Sequence, residues 1–151
     1  EIISIENYLK KERWNLFSLK KMLNNFLLPE NLYKKIMEEN KNFVNEDLIK
    51  LVKIIKKDNC YILSYGDSEF QLDKINDSNI RQYFKETIIM QGAKNKEVEK
   101  ICNQYINEII FFIDDSKKHI EELNLVTCPN LRTILYDERG LEKLTAILSQ
   151  S

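Results

Sequence analysis

The sequence predicts an α/β protein with an open parallel sheet, and three observations predict it. Four short runs of strand formers recur along the chain, CYILS at 60–64, ETIIMQ at 86–91, EIIFFI at 108–113 and LRTILY at 131–136. Each is followed by a segment whose apolar residues repeat at helical spacing. Glycines punctuate the joins, Gly66 after the first run and Gly92 after the second. Strands that alternate with helices in this way pair in parallel through right-handed crossovers, which gives a sheet with helices on both faces. Chemistry in such sheets sits at the carboxyl ends of the strands.

The elements follow in order. Residues 1–57 carry apolar side chains at helical spacing, among them Trp14, Phe17, Leu19, Leu23, Phe26 and Leu27, and show no two-residue alternation. Pro29 suits the first turn of a helix through Leu32, Tyr33, Ile36 and Met37, and Asn45 suits the cap of a helix over 48–57. The texture changes at Asp58, and the first strand runs over Cys60 to Ser64 before the turn Tyr65-Gly66-Asp67. Phe70, Leu72 and Ile75 favour a helix over 68–75, with a hairpin through Gly66 as the competitor. The second strand leads to a helix over 95–105, with Val98, Ile101, Cys102 and Tyr105 on one face. The third strand is an unbroken apolar run before Asp114, the pattern of a strand covered on both faces. A helix over 116–123, the fourth strand and a closing helix after Gly140 complete the order. The alternative is a helical bundle with a seam through Val98, Cys102, Tyr105, Ile109, Phe112 and Leu123. Asp114-Asp115-Ser116 would interrupt that seam where it should be most regular, and LRTILY reads as a strand.

Composition narrows the function. At 151 residues the chain has the size of one ordinary domain. Lys+Arg 23 against Asp+Glu 24 leaves a net charge of -1, without the basic excess of a protein that tracks phosphate backbones, so nucleic acid is not the expected partner. Cys60, Cys102 and Cys128 form no CxxC pair and are odd in number, which argues against a disulfide framework or a zinc site and for a reducing, cytoplasmic setting. No apolar run approaches the roughly 18 residues of a membrane span, so a soluble protein without a membrane partner is expected.

Three groups of residues fall just after predicted strands: Ser64, Tyr65 and Gly66, then Lys94, then Asp114 and Asp115. A hydroxyl and a turn N–H can hold a phosphate oxygen, a lysine can neutralise phosphate charge, and paired carboxylates suit a hard cation such as Mg²⁺. Singly these residues are commonplace, as a turn serine, a solvated lysine and a helix cap. Their order, each at a strand end, points to a magnesium site that binds a phosphoryl group.

That order resembles the haloacid dehalogenase-like (HAD) hydrolases. ILSYGDSEFQLDKI, 62–75, resembles the family's second motif, GAKNKEVEKI, 92–101, its third, and EIIFFIDDSKKHIEEL, 108–123, its fourth. The resemblance covers about residues 57–149 and implies a Rossmann-like open parallel sheet over 58–151, with 1–57 as a helical cap segment. It further implies that Ser64, Tyr65 and Gly66 bind phosphate, that Lys94 is the catalytic lysine with Lys96 as the fallback, and that Asp114 binds Mg²⁺ with support from Asp115. His119 stands where the family commonly has Asn or Asp, and the expectation for it is an exposed helical residue.

The family's first motif, a strand ending in Asp-x-Asp that carries the nucleophile, has no counterpart, since no Asp-x-Asp occurs in the chain. Laying IISIENYL over it puts Ser4 and Glu6 where the aspartates belong, and a serine there could not form an aspartyl-phosphate. With Glu1 rather than Met at the start, the preferred expectation is that the first strand lies upstream. The function implied is a Mg²⁺-dependent phosphatase acting on a small phosphorylated metabolite. The alternatives are an inactive domain of the same fold and a helical protein-interaction module.

Overall fold

The computed structural model describes residues 18–149. The expectations placed on Trp14, Phe17 and the IISIENYL segment with Ser4 and Glu6 lie outside these residues. The chain is a mixed α/β protein that divides into two compact units, the first ending at Gly92 and the second beginning at Ala93.

Helices α1 (Leu19–Asn25), α2 (Glu30–Glu38) and α3 (Glu46–Ile55) belong to the first unit. Pro29 precedes α2 with φ of -58, and Asn45 caps α3 by accepting the Leu48 N–H through Oδ1 at 3.0 Å, as the sequence signals predict. A 3-10 turn over Glu39–Phe43 separates these two helices. Strand β1 (Tyr61–Tyr65) runs parallel to β2 (Glu86–Met90), in register from Tyr61 opposite Glu86 to Tyr65 opposite Met90. Helix α4 (Ser68–Asp77) connects them. The competing hairpin does not form, because Asp67 accepts the Phe70 N–H at 3.0 Å and starts a helix at the turn.

The helical segment and α4 share one core. Leu19, Leu23 and Met37 are buried together, with Met22, Leu32, Tyr33 and Phe70 of α4 packed against them. Polar contacts ring this cluster: the Tyr33 hydroxyl donates to Asp73 at 2.5 Å, and Lys20 reaches Glu69 at 2.5 Å and Asp73 at 3.3 Å. Side chains from both sides of the boundary expected at 57/58 close one apolar cluster.

The second unit repeats the strand, helix, strand plan. After α5 (Lys94–Gln104), β3 (Ile110–Asp114), α6 (Lys117–Asn124) and β4 (Leu131–Leu135) form a parallel pair, Ile110 opposite Leu131 through Asp114 opposite Leu135. Helix α7 (Gly140–Leu148) closes it. Val98 and Cys102 of α5, Ile120 and Leu123 of α6 and Leu144 of α7 are buried. Asn130 fixes the lower loops, its side-chain amide donating to the carbonyls of Cys102, Tyr105 and Glu108 at 3.2, 3.0 and 3.1 Å.

Among the described residues the strands are not hydrogen-bonded into one open sheet. The described strands make two separate two-stranded parallel sheets, β1–β2 and β3–β4, each closed by the helix between its own strands. Burial follows from this pairing, because a strand with one hydrogen-bonded neighbour is covered less than one inside a wide sheet. All of β1 is half-buried, and in β3 only Phe112 is buried, while Ile113 is 37 % exposed. The expectation of a third strand covered on both faces is corrected accordingly. The helical-bundle alternative falls with the presence of the strands. Among the described residues no helix is long and apolar enough to cross a membrane.

Candidate functional site

In the second unit, the predicted lysine and the predicted aspartate meet. Asp114 is the last residue of β3, and its carbonyl accepts the Tyr136 N–H at 2.8 Å, so the end of β4 fixes its backbone. Lys94 is the first residue of α5. Its Nζ lies 2.5 Å from Asp114 Oδ2, and the two side chains are only 12 % and 9 % exposed. The same ammonium stands 5.7 Å from the centre of the Phe112 ring, close enough for a cation–π contact. Lys96 is exposed, so Lys94 rather than the fallback engages the carboxylate.

Two further groups complete the surroundings of Asp114. The Ser116 N–H donates to Oδ1 at 2.8 Å, and His119 Nδ1 lies 3.2 Å from Oδ1 and 3.3 Å from Oδ2. His119 is therefore not merely an exposed helical residue. Ser116 caps α6 by accepting the His119 N–H, which sets the histidine in the first turn facing back to the strand end. Burial acts to raise the Asp114 carboxyl, but the bonds from Lys94 and the Ser116 N–H, the Lys94 charge and His119 together hold it below the ordinary carboxylate value.

Asp114 already accepts from an ammonium, a backbone N–H and an imidazole, Asp115 is exposed, and among the described residues no three His, Cys, Asp or Glu side chains converge. Octahedral coordination would need further oxygen ligands. What the cluster does hold is a half-buried, ionised carboxylate with a paired cation at the end of a strand.

The predicted phosphate-binding turn belongs to the first unit. Gly66 has φ of +143, a conformation open to glycine, and its N–H donates to Met90 O at 3.0 Å, extending the β1–β2 ladder. That N–H is thus committed, contrary to the expectation of a free turn donor. The Ser64 hydroxyl is bonded as well, at 3.0 Å from Gln71 Oε1 on α4. Gln71 also lies across Gly66, where an added Cβ would come within 2.9 Å of its Nε2. Tyr65 pairs with Met90 in the ladder.

Sequence reasoning did not single out Gln71, and it set His119 aside. The signals were positional: Gln71 follows the cap Asp67 by one helical turn, and His119 follows the cap Ser116 by three residues. A cavity of about 610 Å³ lies at the opposite, amino-terminal ends of β1 and β2, with Lys57, Arg81 and Lys85 in its wall, but these cations are exposed. Convergence of buried groups, rather than cavity size, selects the strand ends. No protein-family model, curated protein or solved structure matched the chain.

Proposed function

We propose that the chain is a HAD-like phosphohydrolase domain whose chemistry uses Mg²⁺ and a small phosphorylated substrate. The observation that carries this reading is the 2.5 Å contact between Lys94 and Asp114, two residues twenty positions apart that strand-end position and motif resemblance both group in one site. A cation held beside a half-buried carboxylate at a strand end can offset the charge of a phosphoryl group.

In this reading Lys94 holds the Asp114 carboxylate and offsets phosphate charge, and His119 and the Ser116 N–H fix the carboxylate's orientation. Asp114 and Asp115 are the proposed Mg²⁺ ligands, and no Asp-x-Asp that could add oxygen donors occurs in this sequence. The chain as given is expected to bind but not to turn over. A version extended ahead of Glu1 by an apolar strand ending in Asp-x-Asp is expected to hydrolyse p-nitrophenyl phosphate with Mg²⁺. Lys94→Ala and Asp114→Asn should then each cut turnover by about a hundredfold. Failure of the extended chain to turn over any phosphomonoester would count against the enzymatic reading.

The complete set of donors around Asp114 favours a second reading, a domain of the same fold that works as a binding module. With Lys94 and His119 standing where a cation would bind, Asp114 needs no metal to be satisfied. Calorimetry separates the two, because the binding module takes up no Mg²⁺ even when Asp-x-Asp is supplied.

A further inference from the structure

The turn after β1 has a donor that neither the motif nor the resemblance assigns. If the phosphate reading is correct, the anion must meet hydrogen-bond donors at Ser64-Tyr65-Gly66. Two of the obvious ones are already engaged: the Gly66 N–H donates to Met90 O at 3.0 Å, and the Ser64 hydroxyl donates to Gln71 Oε1 at 3.0 Å. A hydroxyl has only one proton, so in this arrangement Ser64 has none left for a ligand. Gln71 does, because its carboxamide nitrogen carries two N–H groups and lies over the Cα of Gly66, the one position along the turn without a side chain.

We propose that Gln71 is the ligand-facing donor of this turn, presenting its Nε2 N–H groups to a phosphate oxygen above Gly66 while the Ser64 hydroxyl positions the amide by bonding to Oε1. The proposal rests on the phosphate-site reading given above and assigns its donors differently. Several features of the turn fit it. Gly66 is the residue that permits the close approach, since a Cβ there would collide with Nε2 at 2.9 Å. Helix α4 holds the Gln71 backbone, whose N–H donates to Asp67 O at 3.0 Å, so the amide projects from a fixed turn. Donation by Ser64 to Oε1 also polarises the amide and strengthens Nε2 as a donor, the usual consequence of a chain of hydrogen bonds. Ser64 is then a positioning residue and Gln71 a binding residue.

The two assignments predict opposite mutant orders. The test is titration of the full 151-residue chain with inorganic phosphate. It is followed by the side-chain amide resonances of Gln71 in a ¹⁵N-labelled sample and by calorimetry for the variants. In the wild type the Gln71 amide signals are expected to shift and saturate. Gln71→Ala should weaken binding about tenfold or more, the loss of a hydrogen bond to a charged group, and Ser64→Ala only about threefold, the loss of a neutral one. Gln71→Glu keeps the size and reach of the side chain but replaces the donor with a charge that repels the anion, so it should bind no better than Gln71→Ala. Circular dichroism of each variant separates loss of binding from loss of fold. Abolition by Ser64→Ala with wild-type binding by Gln71→Glu would overturn the proposal in favour of a direct serine donor. If the wild type gives no saturable response to phosphate, the phosphate reading of the turn fails first, and with it the role assigned to Gln71.

Discussion

Replacing Lys94 with alanine is the sharpest probe of the strand-end cluster. The perturbation removes an ammonium that is 12 % exposed from a carboxylate that is 9 % exposed, across 2.5 Å. At an effective dielectric constant of about 20, an attraction at that distance is worth about 7 kcal/mol before desolvation is subtracted. Removing one partner of a buried pair typically costs about 3–5 kcal/mol, because the other charge stays buried without it. Asp114 retains the Ser116 N–H and His119 as partners, which places Lys94→Ala at the lower end, about 3 kcal/mol. For a chain of this length that corresponds to a fall in Tm of about 10 °C. Urea melts monitored by circular dichroism would measure it, with hydrogen exchange at β3 and β4 locating the loss. The double variant Lys94→Met/Asp114→Asn leaves no buried charge behind, so it should be more stable than Lys94→Ala alone. A Lys94→Ala protein within about 0.5 kcal/mol of wild type, the range of an ordinary surface change, would refute the claim that the pair is buried and coupled.

Four other outcomes follow from the same geometry. The Asp114 carboxyl is held below its ordinary value, so its contribution is present above the ordinary carboxylate range and is lost as pH falls through the lowered value in the folded state; Asp114→Asn should flatten the acid limb of a stability profile. Gly66→Ala should cost about 1–3 kcal/mol from the φ of +143, plus the contact with Gln71, and adding Gln71→Ala should recover only the contact part in a thermal melt. Asn130→Ala removes the donor shared by three loop carbonyls and should lower urea stability by about 1–3 kcal/mol. Among the thiols, Cys128 is half-buried whereas Cys60 and Cys102 are buried, and burial together with a hydrogen bond that the Cys102 thiol donates to Cys128 pushes Cys102 up to about 12. An aromatic disulfide reagent at neutral pH should therefore label Cys128 first, with mass spectrometry identifying the site.

Much of the local structure is legible in the residues. The four strand cores are found where CYILS, ETIIMQ, EIIFFI and LRTILY predict them, shifted by one or two positions at their ends. Asn45, Asp67 and Ser116 begin helices because each supplies a side-chain oxygen to a backbone N–H three residues on. What the residues did not disclose is pairing. Strand propensity is a property of a segment, whereas a ladder depends on which other segment is available, and so one sheet was expected where two form. The candidate site divides in the same way. Asp114 was legible because it ends an apolar strand and Lys94 because it opens the helix soon after one, while Gln71 and His119 lie further into their helices, where a polar residue facing a strand end looks like any solvated one. Gly66 was chosen for a free N–H, and only the β1–β2 register reveals that Met90 takes it.

The register of the two sheets also bears on how the chain acquires its structure. Tyr61 pairs with Glu86 and Ile110 with Leu131, so every ladder hydrogen bond closes over a loop no longer than a single strand, helix, strand unit. Parallel strands are slow to form when distant segments must find each other, and here none must. As synthesis proceeds from the amino end, β1, α4 and β2 can pair before α5 has left the ribosome, and the second unit repeats the process with its own residues. A destabilising change in β3 should therefore leave the folding rate of the β1–β2 unit unaltered, and ribosome-bound chains stalled beyond Gly92 should already protect the amides of β1 and β2 from exchange.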